Sequence, residues 1–545
     1  MKQFNPKKRA NFFDKILMKV PTTNTFDLSY DNKLTFNMGE LVPVMCQEVI
    51  PGDNFKITAE HLLKMAPLAT PVFQKCRVHM DYFFVPNRLL WDNFEKFQAY
   101  DTLNEIPKHP YIDPRGELGG GVKVCSLADY MGIPTGDYSS YSNGHPISRI
   151  NALPLAAYFK IYDDYYRDQN LVTEKFKKLD DGDNTLNDMF VNNNPFQANS
   201  LLKRAWERDY FTSCLPFAQK GQEVVLPLGE SAPINYVPNG QPDYVRDVNG
   251  TLATGNHGLD SIGGTFSVDD LPTPGSSLPA TLDNSDHLEV DLTNATSASI
   301  NDLRVAVRLQ EFFERNARLG TRYIEQMLGK FGVRISDERA HRSELIGTTG
   351  APVMFSEVLQ TSQTDTTPLA QQGGHGTSIN SQFASQYYCE EHGWIIGIMN
   401  VQPATGYMQG LHRKFTKNDI LDYYDPMFSN LGEQAVTNAE IYATQDTDEA
   451  VKTFGYQSRY AEHKYNLSEV HGTFRTTEAD WHMDRIFNSP PTLNDVFISA
   501  DPTHRVFADT SEETKKMWCY LHHSIIAQRK IPFYSTPTFN SPLNG

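Results

Sequence analysis

Residues 229–300 cannot build a core of their own, and this constrains the fold of everything around them. Of these 72 positions, 43 are Gly, Pro, Ser, Thr, Asn or Asp. Ten are acidic, Arg246 is the sole basic residue and lysine is absent. The stretch therefore carries −9, more than half of the −17 of the 545-residue chain. So polar and turn-rich a segment buries too little apolar surface to offset its conformational entropy. It is read as a surface insertion loop, and the core must come from the flanks, 22–228 and 301–531, acting together.

Both flanks are patterned for strands. Thr25–Tyr30 alternates apolar and polar residues, Leu41–Met45 is a short apolar run, and Pro51-Gly52-Asp53 marks a turn. Val78–Val85 reads as a strand closed by Pro86, and Trp394–Val401 as one buried on both faces. Aromatic residues make up 12% of the chain, which suits half-buried pleated surfaces and subunit interfaces. Helices are fewer. Spacing predicts one over Arg88–Tyr100 and another over Leu153–Asp168, with Pro154 in its tolerant first turn. A third begins at Asn301, with an interruption expected at Gly320. Strands at both ends with helices between favour one sandwich assembled from distant segments, beside the alternative of a multi-domain α+β chain.

Two charged features invite a binding role. Residues 1–21 form a basic arm, with Lys2, Lys7, Lys8, Arg9, Lys15 and Lys19 set against Asp14 alone and Phe12 and Phe13 interleaved. Cations neutralise phosphates regardless of sequence and aromatic rings stack on unpaired bases, so single-stranded nucleic acid would suit the arm. A solvated terminus is the ordinary alternative. On the third helix Arg304, Arg308, Arg315, Arg318 and Arg322 fall within an arc of about 80°. Val305, Leu309, Phe312 and Phe313 lie opposite, and Glu311–Arg315 and Glu314–Arg318 are spaced as i,i+4 pairs. The stripe is either a solvated face or one turned to phosphate or to a neighbouring subunit.

Enzyme chemistry finds no support. GxxxxGK[ST], HExxH and GxSxG are missing from the sequence. Gly373-Gly374-His375-Gly376 follows two glutamines and reads as a flexible loop. Asp180-Asp181-Gly182-Asp183-Asn184 has its glycine too early for a calcium loop and reads as a solvated turn. The 16 histidines carry no metal spacing, and His522-His523 in a strand would point to opposite faces. No catalytic residue, metal or cofactor is expected. The six cysteines are dispersed without a CxxC pair, as expected of free thiols. The N-terminal residues show no apolar signal region and no run approaches the roughly 18 apolar residues of a membrane span. A soluble product made in the cytoplasm is expected.

Several stretches then become recognisable. They are Gly39–Pro43, Glu48–Asp53, Phe83–Trp91, Asn151–Pro154, Tyr166–Leu171, Arg208–Ser213 with Leu215-Pro216, Gln219–Gly221, Gly455–Gln457, Arg459–Glu462 and Trp481-His482. In this order, over about residues 39–485, the chain resembles the major capsid proteins of the Microviridae, particularly gokushovirus-like members. The resemblance implies a mainly β fold, an eight-stranded antiparallel jelly-roll β-sandwich with long, partly helical insertions between strands. It implies self-assembly into an icosahedral shell of roughly 60 copies around a circular single-stranded DNA genome. Phage scaffolding, pilot and small DNA-binding proteins and a host surface receptor are the implied partners. Residues 229–300 would form the protrusion at the three-fold axes and contribute to host attachment, with Tyr236, Tyr244 and Phe266 as candidate contacts. Residues 532–545 would be an extended tail. The rival readings are an exported carbohydrate-binding or adhesion sandwich and a replication initiator acting on single-stranded DNA.

Overall fold

A computed structural model describes residues 22–100, 106–117, 121–142, 145–184, 200–221, 224, 300–333, 341–361 and 370–534, together with the backbone of six short strands within 234–290. The chain divides into two compact units, residues 219–316 and the remainder.

The larger unit is built on antiparallel strands: β1 (Asn24–Asp27), β2 (Tyr30–Phe36), β3 (Val42–Val49), β4 (Asn54–Met65) and β5 (Cys76–Pro86), then β6 (Glu344–Leu359), β7 (Gln372–Tyr388), β8 (Gly393–Pro403) and β9 (Met517–Arg529). They pair in the order β1-β9-β4-β7-β6-β5-β8-β3, with β2 also on β9. β1 faces Ile526–Arg529 and β2 faces Met517–His523 of the same neighbour. The two are one edge strand interrupted at Leu28-Ser29, where Asp27 Oδ1 accepts the Ser29 amide. β6 crosses between halves: nine of its first ten residues pair with β5, with Ile346 bulged out of register, and its last six pair with β7.

Period-two alternation explains the core. Phe55, Ile57, Ala59 and Leu63 of β4 and Cys519, Leu521, Ile525 and Ala527 of β9 point inward. They meet Val78, Met80, Tyr82 and Phe84 of β5 and Ile395, Met399 and Val401 of β8 in one buried cluster. The outer residues of the second half, Phe83, Val85, Ile396 and Ile398, join a separate cluster with Leu155, Tyr158 and Phe159 of helix α1 (Leu153–Ile161). β8 is thus buried on both faces, as its continuous apolar run predicts. Gly397 is needed there because a Cβ would come within 2.8 Å of the Tyr82 ring.

Several elements depart from their expected form. The helix expected over Arg88–Tyr100 is two short pieces, Asn87–Leu90 and Phe94–Ala99. Between them Trp91 is extended and buried, its Nε1 donating to Asp181 Oδ1 at 2.7 Å. The Asp180–Asn184 turn therefore has a structural partner, and Asn184 Oδ1 accepts the Asp180 amide. α1 ends at Ile161 and the next five residues form a π-turn. Gly373–Gly376 is not a flexible loop but part of β7. Its glycines admit neighbours, since a Cβ on Gly376 would strike Met65 at 2.4 Å. In the smaller unit the backbone is not one long loop either. Tyr244–Asp247, Ser277–Asp283, Thr265–Asp269 and Leu259–Ile262 form a four-stranded antiparallel sheet, and Ile234–Tyr236 pairs with Leu288–Val290.

Candidate assembly and nucleic-acid surfaces

The arginine stripe is carried on two helices, α2 (Ile300–Arg318) and α3 (Tyr323–Phe331). Arg304, Arg308 and Arg315 lie exposed on α2. The expected i,i+4 pairs do not form; Arg308 bonds Glu311 at 2.7 Å, and Glu314 accepts from Gln310. Arg318 donates through Nε to Glu433 at 2.9 Å and to Gln457 Oε1 at 3.0 Å. Helix α2 ends at Arg318, and Arg322 sits at the N-cap of α3 with extended backbone. Its guanidinium reaches Glu325 and the Asp163 carbonyl. Two of the five cations therefore hold the fold, and three face outward. Opposite them Val305, Leu309 and Phe312 are exposed and Phe313 is half-buried among the described residues.

The arm residues Lys2, Lys7, Lys8, Arg9, Phe12, Phe13, Lys15 and Lys19 lie outside the described residues. The described chain begins two residues before β1, at the edge of the β9–β4–β7 half. Tyr236, Tyr244 and Phe266 belong to short strands of the smaller unit.

Two polar centres were not anticipated. Asp209 gathers five donors: the amides of Phe211 and Thr212, the hydroxyls of Thr212 and Thr405, and Tyr407 Oη at 2.7 Å. The local signal was present, since Asp-x-x-Thr closes an Asx-type turn onto its own backbone. A cleft of about 430 Å³ adjoins this centre, lined by Asp81, Tyr165, Tyr166, Arg204, Trp206 and Arg208. Tyr166 donates to Asp81 at 2.8 Å, and the Arg204 guanidinium lies 5.8 Å over the Tyr166 ring. Burial raises the Asp81 carboxyl and holds the Tyr166 phenol well above its ordinary value. These residues come from chain positions more than 120 apart, so only folding reveals the cluster.

The family described as "Capsid protein (F protein)" matches residues 18–539. The chain belongs to this family. The chain is 33% identical to Capsid protein VP1 of Chlamydia phage 1 over 98% of each chain. It is 35% identical to Capsid protein VP1 of Bdellovibrio phage phiMH2K over 88% of each. It is 31% identical to Capsid protein VP1 of Spiroplasma virus 4 over 92% of each. The resemblance read from residues 39–485 agrees with these matches, and the chain is a gokushovirus-like major capsid protein. Its role is structural and its place is the virion capsid, where subunits assemble into a shell. Adhesion and replication-initiator readings are set aside on this ground. Among the described residues no helix is long and apolar enough to cross a membrane.

As a capsid protein the chain uses its recognisable motifs to hold shape. Gly39, in the first of them, adopts φ +82 and leaves space for the Ala500 carbonyl, 2.2 Å from where a Cβ would stand. Glu40 beside it pairs with Lys515 and accepts the Asn37 amide. Arg208–Ser213 supplies the Asp209 centre.

Proposed function

We propose that this capsid protein closes an icosahedral shell of roughly 60 copies around a circular single-stranded DNA genome. Its sandwich is an eight-stranded jelly roll. The observation that carries the fold reading is the strand order. With β1 and β2 counted as one edge, the halves read β1/β2-β9-β4-β7 and β6-β5-β8-β3. First and last strands are neighbours, and sequential strands alternate between halves except β5 and β6, which pair directly, the winding two Greek keys produce. Long insertions between β5 and β6 and between β8 and β9 account for the chain length without a second core domain in the larger unit.

The basic arm, residues 1–21, lies inside and touches the genome, and residues 229–300 form the outer protrusion that takes part in host attachment. Scaffolding, pilot and small DNA-binding proteins of the phage assist, and the subunit is made in the host cytoplasm. Each subunit contact is weak, and simultaneous contacts with several neighbours hold the shell.

A particle reconstruction from chain co-expressed with its helper proteins tests this reading. Closed shells with DNA density are expected; persistent monomers overturn it. Deleting residues 2–19 should lower retained DNA while shells still form. Shortening 229–300 should impair adsorption more than assembly.

A further inference from the structure

The two halves of the sandwich are dressed differently. The β5–β8–β3 half carries its own insertion, with α1 packed over Phe83, Val85, Ile396 and Ile398. The outer face of the β9–β4–β7 half is left open by the described residues. Its register places Lys33, Tyr520, Leu62 and Ile379 on one rung across four strands. Trp518 and Lys64 are paired two residues further along. Trp518 is 48% exposed, Tyr520 40%, Leu62 37% and Ile379 73%. Adjacent strands lie about 4.8 Å apart and same-face neighbours about 6.7 Å apart. The patch is therefore contiguous, about 14 Å across. Scattered exposed apolar residues need no account, but four on adjoining positions of one face do.

We propose that this face is a stacking platform for unpaired bases of single-stranded nucleic acid, with Lys33 and Lys64 beside the backbone phosphates. The proposal rests on the genome reading above and deepens it. Aromatic rings interleaved with cations on an open surface bind single strands without regard to sequence, because every base presents a π-face. Neither rung carries an acid. The nearest, Asp31 and Glu60, lie on the following rung, where Asp31 is taken up by His522 at 2.7 Å. The basic arm, six cations against one acid, joins the chain at the edge of this same sheet. A protein partner would gain from the apolar residues but would leave both lysines to be desolvated.

Hydroxyl-radical footprinting of intact particles, full against empty, tests the platform, with oxidation of Trp518 and Tyr520 read by mass spectrometry. Expected is oxidation at least about threefold lower in full particles, because stacked bases shield the rings. Equal protection in full and empty shells would mean that another copy or coat protein covers the face, and overturns the proposal. Equal reactivity in both overturns it as well. Nuclease digestion of the extracted genome reports on the underlying reading separately. A duplex resistant to single-strand nuclease defeats that reading, and the platform with it, whatever the footprint shows.

Discussion

His523 of β9 meets Tyr82 of β5 edge-on across the sandwich, ring centroids 6.2 Å apart, and neither of its ring nitrogens has a hydrogen-bond partner among the described residues. Tyr30 stacks on its other side at 5.2 Å. The residue is fully buried, and burial pushes its imidazole down to about 4. His61 of β4, whose Nε2 lies 3.1 Å from Ser378 Oγ, is pushed down to about 4 for the same reason.

Acid should therefore loosen the subunit as these two imidazoles are forced to take up protons. Both imidazoles are neutral when folded and take a proton near pH 6.5 when unfolded. Their contribution is complete above about pH 6.5 and is lost as pH falls from there toward 4. Each is worth about 3 kcal/mol over that window. Urea unfolding of dissociated subunits between pH 7.5 and 4.5 should show the loss, and His523→Leu should flatten the slope. An unchanged midpoint across that range would contradict the assignment.

Asp209→Ala should cost about 2–4 kcal/mol, because five donors lose their acceptor at once. Asp209→Asn should cost roughly half as much, since one oxygen remains to accept. The shift in denaturant midpoint measures both. A loss below about 0.5 kcal/mol for the alanine variant would show that water replaces the carboxylate.

Gly39→Ala places a methyl group against a backbone carbonyl in a left-handed conformation. Destabilisation of about 2–4 kcal/mol and reduced particle yield are expected. Soluble subunit recovery and thermal unfolding check this.

The divided arginine stripe makes a graded prediction. Arg304→Ala, Arg308→Ala and Arg315→Ala should each leave subunit stability within about 0.5 kcal/mol. Arg318→Ala, which removes the contacts to Glu433 and Gln457, should cost about 1–2 kcal/mol. Equal effects from all four would mean that the bonds to Glu433 and Gln457 do not set Arg318 apart from its neighbours on α2.

Much of the sandwich was legible in the residues. β5 ends at Pro86, where the sequence places its stop, because proline offers no amide to the ladder. β8 announced its double burial by a run with no polar interruption. The opposite facing of His522 and His523 followed from strand geometry alone, and the interruption expected at Gly320 falls between α2 and α3. Other elements were obscured. The glycines of β7 look like a loop until the neighbours they admit, Met65 and Thr70, are in place. Trp91 sits at helical spacing with Phe94, yet its indole N–H is drawn to Asp181, 90 residues away. Local propensity carries no information about such partners. The candidate surfaces were legible as composition only: the arginines were visible, whereas the open β9–β4–β7 face exists only once four strands from both ends of the chain align.

That alignment also sets the order of events during synthesis. β9, translated after every other strand of the sheet, lies between β1 and β2 on one side and β4 on the other. Until Met517–Arg529 emerges, two complementary ladders stand open and the inner residues of β4 have no cover from that side. Contacts of such long sequence separation form slowly. A nascent chain is therefore unable to present a finished subunit until this strand has emerged, a delay that protects the growing shell from truncated copies.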